Sequence, residues 1–226
     1  MQNPEVVKCL KHLKTHHLIS HETNHGTIII EGPVKSSELK KYEFHEDLTA
    51  FRPAPKQFKA LIGIAELPEG RIIIARTDHM IIGYVTYVHP DPLERWSEFQ
   101  MEELIELGAV EVIPAYRGQK VASKMLEVSM MDDYMENYII YSTEYYWHWD
   151  LEGSGLNVWE YRKVMEKMMA AGGLKPQTTD DPEITSHPAN SLMVRIGKNV
   201  SEHSVKKFNE LRFLARNRKK EQVKED

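Results

Sequence analysis

The chain predicts a mixed α/β domain, of the α+β kind, around one mostly antiparallel sheet. Three observations point there. Short β-branched runs bounded by Gly, Pro or Asp turns recur along the chain, and segments with apolar residues at helical spacing lie between them. No stretch repeats itself, so these elements belong to one core rather than to an array. A length of 226 residues is enough to bury that core.

GTIIIEG (26–32), closing on Gly32-Pro33, reads as the first strand. SSELKKYEFHEDL (36–48) and PKQFKALIGIAEL (55–67) have helical spacing, with Ser or Pro near their starts. GRIIIAR (70–76), the turn TDH and MIIGYVTYVH (80–89) predict an antiparallel hairpin, and LIELGAVEV (104–112) the next strand. A helix is expected over 121–135 and a strand in NYIIYSTEYY (137–146). NVWEYRKVMEKMMAAGGL (157–174) is a helix closed by Gly172-Gly173, and SLMVRIG (191–197) a last strand. Residues 1–20 are expected as an N-terminal extension, 21–200 as the domain, and 201–226 as a charged helical tail. That tail carries eight Lys/Arg and five Asp/Glu, with Val205, Phe208, Leu211 and Leu214 near one docking stripe.

Composition excludes several classes. With 41% apolar and 28% charged residues and a net charge of −5, the chain lacks the basic excess of a nucleic-acid binder. No apolar run approaches the ~18 residues that span a membrane. A single cysteine, Cys9, forms no internal disulfide, and with no secretory h-region a cytoplasmic location is expected. His12 and His16, and His17, His21 and His25, stand at the i, i+4 spacing of a helix, but no ligand set completes a metal site, so none is expected.

The stretch VIPAYRGQKVASKML (112–126) carries the chemistry. Strand, tight turn and helix start in succession leave the N–H groups of residues 118–123 facing outward, a seat suited to a pyrophosphate. Neither a Walker loop nor a Gly-x-Gly-x-x-Gly accompanies it. Two carboxylates, Glu106 and Glu111, sit on the preceding strand. In an unbroken strand Glu106 shares a face with Val110 and Val112, and Glu111 faces the other way; a β-bulge would exchange this parity.

In this loop and in its element order the chain resembles the GCN5-related N-acetyltransferase (GNAT) superfamily. The acetyl-CoA motif there is Arg/Gln-x-x-Gly-x-Gly/Ala after a strand ending in Val-x-Pro. The matching residues are Val112, Pro114, Arg117, Lys120 in the usual Gly position, and Ala122. The resemblance implies the GNAT fold, with a sheet splayed between its fourth and fifth strands and helices on both faces. It also implies acetyl-CoA held by Val110, Val112, Arg117, Gly118, Gln119, Lys120, Val121, Ala122 and Ser123. A β-carbon at Lys120 narrows the loop; the preferred reading turns its side chain outward to a CoA phosphate.

Further blocks, YEFHEDLTAFRP, GYVTYVHPDPLERWSE, TEYYWHWDL and VWEYRKVMEKMMAAGGL among them, resemble the acetoin-utilisation branch of that superfamily over about residues 31–201. This implies a protein lysine acetyltransferase whose partner and target is acetyl-CoA synthetase, switched off by acetylation. A lysine amine is only ~0.04% neutral at pH 7, so a base is needed. The superfamily position eleven residues before Arg117 selects Glu106, with Glu111 the alternative. The N–H of Val112 is the expected oxyanion donor. Met169 stands where the family often has its acidic tyrosine, and Tyr161 is the nearest phenol in helix register, ahead of Tyr145 and Tyr146. In TEYYWHWD, strand alternation would send Tyr145, Trp147 and Trp149 to one face and Glu144, Tyr146, His148 and Asp150 to the other. Residues 91–111 hold seven acids against Arg95, a field that would guide a basic acceptor. Two rival readings are a small-amine N-acetyltransferase and a CoA-responsive regulator that binds without turnover.

Overall fold

The structure, a computed structural model, describes residues 10–217; Cys9 and positions 218–226 of the basic tail lie outside them. In chain order the elements are β1 (His17–Thr23), β2 (Gly26–Gly32), α1 (Ser36–Leu39), β3 (Glu43–Phe44), α2 (Ala54–Glu66), β4 (Arg71–Arg76), β5 (Met80–Val88) and β6 (Leu104–Val112). There follow α3 (Val121–Ser129), β7 (Ile139–Glu144), α4 (Leu151–Ser154), α5 (Val158–Ala171), β8 (Lys175–Gln177), α6 (Pro182–Thr185), β9 (Ser191–Ile196) and α7 (Glu202–Leu211).

The strands form one sheet in the order β1-β2-β4-β5-β6-β7-β9-β8, with β3 added against β5. Only the β3–β5 and β6–β7 joins are parallel; the others are antiparallel. Helices cover both faces. Tyr84 of β5 packs its ring near Phe44, which stacks on Phe58 of α2. Met125 of α3 lies against Gly83, and Ser129 of α3 beside the Tyr87 hydroxyl, on the other face by strand parity. Beside α3 on that second face lies α5, whose start is fixed by a capping box between Asn157 and Glu160.

The β6–β7 join is short. Leu104, Ile105 and Glu106 pair with Ile139, Ile140 and Tyr141, and there the two strands part. Beyond that point β6 stays with β5 while Ser142, Thr143 and Glu144 pair with β9. The Ser142 hydroxyl donates to the Leu107 carbonyl (2.9 Å) at the apex of the gap. The splay implied by the family resemblance is therefore present, between the strands expected as fourth and fifth.

Several expectations change. The first strand has a partner the sequence reading lacked: His17, His21 and the residues between them form β1, not a helix, and the sheet starts inside the segment assigned to an extension. Only Ser36–Leu39 of the 36–48 segment is helical. Glu43 and Phe44 join the sheet, and the following loop is tied down by the Ala50 N–H, which donates to Glu111 (2.7 Å). The helix from 121 stops at Ser129, and Asp132 caps a separate tight turn over 133–137 by accepting from the Tyr134 N–H. β7 ends at Glu144, so the alternation expected through TEYYWHWD gives way to a turn over 146–148. Trp149 stacks on Tyr161, whereas Tyr145 stacks on Trp147. In α7, Phe208 and Leu211 of the expected stripe are buried with Ser204 beside them, whereas Val205 is only half-buried.

Candidate active site

The loop after β6 enters α3 through two left-handed residues, Gly118 (φ +73°) and Lys120 (φ +62°). Lys120 is the N-cap, and no side chain caps the helix. The first helical bond there runs from the Lys124 N–H to the Lys120 carbonyl (3.0 Å), so Val121, Ala122 and Ser123 keep the unpaired N–H groups of any helix start. Left-handed turns of this kind form a concave nest of amides, and the helix dipole adds to its pull on an anion. The position explains the family's glycine: the backbone there has positive φ, which Lys120 adopts with its side chain exposed.

The first hairpin buttresses this loop. His21 Nε2 donates to the Gln119 carbonyl (2.8 Å) and His25 Nε2 to the Ala115 carbonyl (3.0 Å). The Gln119 side chain accepts from the Asn24 N–H (2.7 Å) and donates to Ala115 O (2.9 Å). The i, i+4 spacing of these histidines fits strand neighbours as well as helix neighbours, so nothing in their pattern marks this buttressing role. Among the described residues, no group of three or more His, Cys, Asp or Glu is placed to hold a metal.

Arg117 donates through Nε to the Val112 carbonyl (3.2 Å) and pairs through Nη1 with Asp150 (2.5 Å). That exposed pair bridges the mouth of the splay. Tyr161 on α5 stands beside both partners, and burial raises its hydroxyl above the ordinary phenol value.

The carboxylates are placed by a bulge. Thr86 pairs with Ala109 but Tyr87 with Leu107, which leaves Gly108 as an extra residue in β6. Glu106 and Glu111 lie opposite Val88 and Tyr84, so both face the α2 side; the parity of an unbroken strand is overturned. Their surroundings differ. Glu111 is buried and fully engaged, accepting from the Ala50 N–H and from the Tyr84 hydroxyl (2.5 Å). Glu106 is half-buried and has no hydrogen-bond partner among the described residues. Burial first, then the negative charges of Glu94 and Asp91, push its carboxyl up to about 7. A third carboxylate, which the sequence marks only as part of the polar face of TEYYWHWD, joins them. Glu144, at the open end of β7, accepts from Ser142 Oγ (3.1 Å) and Trp149 Nε1 (3.4 Å), and burial pushes it up to about 7.

An amide-lined anion seat and a carboxylate raised toward neutrality by burial, on either side of a splayed sheet, suit acyl transfer from a CoA thioester. A model of the acetyltransferase (GNAT) family matches residues 39–144, from α1 through β7, and the chain belongs to that family. It is thus an N-acetyltransferase of a family that uses acetyl-CoA. Among curated proteins it is similar to the acetoin utilization protein AcuA of Bacillus licheniformis, 64% identical over 204 residues that cover 90% of this chain and 97% of that one. AcuA of Bacillus subtilis is 62% identical over 207 residues, covering 92% and 99%. The crystal structure of an acetoin utilization protein from Exiguobacterium sibiricum superposes with a TM-score of 0.88 at 55% identity, over 90% of this chain and 97% of that one.

Proposed function

We propose that this enzyme acetylates a lysine side chain of a protein, that it acts in acetoin utilization, and that its target is acetyl-CoA synthetase, which the modification switches off. The observation that carries a protein acceptor is the open surface beside the reacting groups. Trp147 and Trp159 are each about half exposed (49% and 51%) on the turn after β7 and on α5. A small amine would call for an enclosing pocket instead.

Acetyl-CoA lies with its pyrophosphate on the amides of residues 118–123 and its pantetheine in the gap between Val110–Val112 and the end of β7. Glu106 takes one proton from the lysine ammonium. The freed lone pair adds to the thioester carbonyl carbon and forms the C–N bond. The oxyanion is met by the Val112 N–H, and collapse breaks the C–S bond, the sulfur leaving with its electron pair as CoA thiolate. The second proton on nitrogen goes to that thiolate, and Tyr161, beside Arg117 and Asp150, is the phenol proposed to relay it. Glu111, whose two oxygens hold the 45–53 loop and Tyr84, is a structural support in this scheme.

Intact-mass spectrometry of acetyl-CoA synthetase incubated with the enzyme and acetyl-CoA tests the proposal. A gain of one acetyl group with loss of synthetase activity is the expected result. No gain, with acetylation of a free diamine instead, would move the acceptor to a small molecule. A separate measurement tests the loop. A Cβ at Gly118 meets nothing within 4 Å, so only its φ of +73° resists substitution. Gly118→Val is therefore expected to raise the KM for acetyl-CoA about tenfold, from roughly 1–2 kcal/mol of backbone strain, and to leave the KM for the acceptor within twofold.

A further inference from the structure

We propose that a cleft beside the turn after β7 receives an arginine or lysine that flanks the acetylated lysine in the acceptor polypeptide. The inference rests on the protein-acceptor reading above and adds a recognition subsite to it. The cleft is a cavity of about 490 Å³ lined by Tyr145, Trp147, His148, Pro182, Glu183 and Ser186. Neither lysine nor arginine lines it. The ring of Tyr145 stacks on one face of Trp147 at 4.7 Å, and half of the Trp147 surface remains exposed. The Tyr145 hydroxyl donates to Glu183 (3.2 Å), which fixes an exposed carboxylate at the rim. An aromatic face next to a carboxylate is the pairing that selects a cation, and a planar guanidinium most of all.

The surrounding field has the same sign. Burial and the charges of Asp91, Glu183 and Asp181 raise the Glu94 carboxyl, with no cation among its influences. The nearby Arg95 is already held by Asp180 (2.9 Å) and Asp181 (3.6 Å). Glu94 acts on Glu106 as well as responding to Glu183, so the cleft and the reacting carboxylate share one acidic surface. Exposed tryptophans beside uncompensated acids are costly on a free surface and are the usual anchors of a protein contact.

The test uses the full chain and two synthetic peptides, each with a single lysine, flanked on both sides by arginine in one and by alanine in the other. The arginine peptide is expected to have a kcat/KM about tenfold higher or more, an advantage that shrinks with added salt. Trp147→Ala and Glu183→Gln should each bring the ratio of the two peptides toward one, and Trp147→Phe should retain more of it. The ratio is internal to each variant, and the acetyl-CoA KM separates a lost subsite from a damaged fold. A ratio near one in the unmodified enzyme, or one unchanged in both variants, overturns the cleft alone. If neither peptide is acetylated while a free diamine is, the protein-acceptor reading falls and the cleft with it.

Discussion

Glu106→Gln is expected to slow acetyl transfer about 100- to 1,000-fold while the KM for acetyl-CoA stays within twofold, the size of effect usual for losing a positioned base. The amide keeps the shape and removes only the basicity. Since Glu106 has no hydrogen-bond partner among the described residues, nothing structural is broken by the exchange. The pH dependence follows with its sign. The carboxyl is pushed up to about 7, so below that pH it holds its proton and cannot act as base. The kcat/KM of the unmodified enzyme should therefore fall as pH drops through about 7. Burial is the larger cause, and the like charges of Glu94 and Asp91 the smaller. Glu94→Gln with Asp91→Asn should accordingly move that limb to lower pH without abolishing it. A Glu106→Gln enzyme within threefold of the parent would remove Glu106 from the mechanism.

Arg71→Met is expected to destabilise the fold by about 3–5 kcal/mol, or roughly 6–20 °C in Tm for a domain of this size. Arg71 and Asp132 are each 1% exposed, and their ion pair spans 3.6 Å. The guanidinium also donates to the carbonyls of Glu69 (2.8 Å) and Leu13 (2.7 Å) and lies over the Tyr138 ring at 4.8 Å. Loss of the cation strands Asp132 as a buried, unpaired charge and releases the segment at Leu13 that precedes β1. The double variant Arg71→Met with Asp132→Leu should recover most of the loss, since it leaves no lone charge behind. Thermal unfolding of the three proteins decides it: a loss under about 1 kcal/mol in the single variant would show the pair to be solvated.

Much of this was legible in the residues. The β-branched runs of β2, β4, β5 and β6 announce a sheet, and the Asn157 cap with the Gly172-Gly173 stop marks α5. β1 was not legible. HLISHET has apolar residues only at Leu18 and Ile19, and its half-exposed edge position needs no more. The loop of the anion seat was visible from VIPAYRGQKVA together with the family resemblance, but the left-handed state of Lys120 was not, because a lysine signals no such turn. Counting from Arg117 selects Glu106. The bulge that sets its direction depends on how β6 meets β5, a pairing no local pattern encodes. Glu144 was legible only as one polar position of TEYYWHWD, because the strand end that sets it at the gap is fixed by tertiary packing.

The bulge at Gly108 makes this stretch of the protein tolerant of both exchange and loss at one position. A side chain there would sit 3.5 Å from Thr86 Oγ1, in ordinary contact, and the backbone φ is not positive. Gly108 has no partner across the ladder, since Thr86 meets Ala109 and Tyr87 meets Leu107. Removing it would join those two pairs directly, leaving residues 109–112 opposite the same partners in β5 and Glu106 and Glu111 on the face they share. Gly108 is thus a spare residue whose loss straightens the strand without turning a side chain over. A library that mixes substitutions with a deletion at position 108 would display that slack directly.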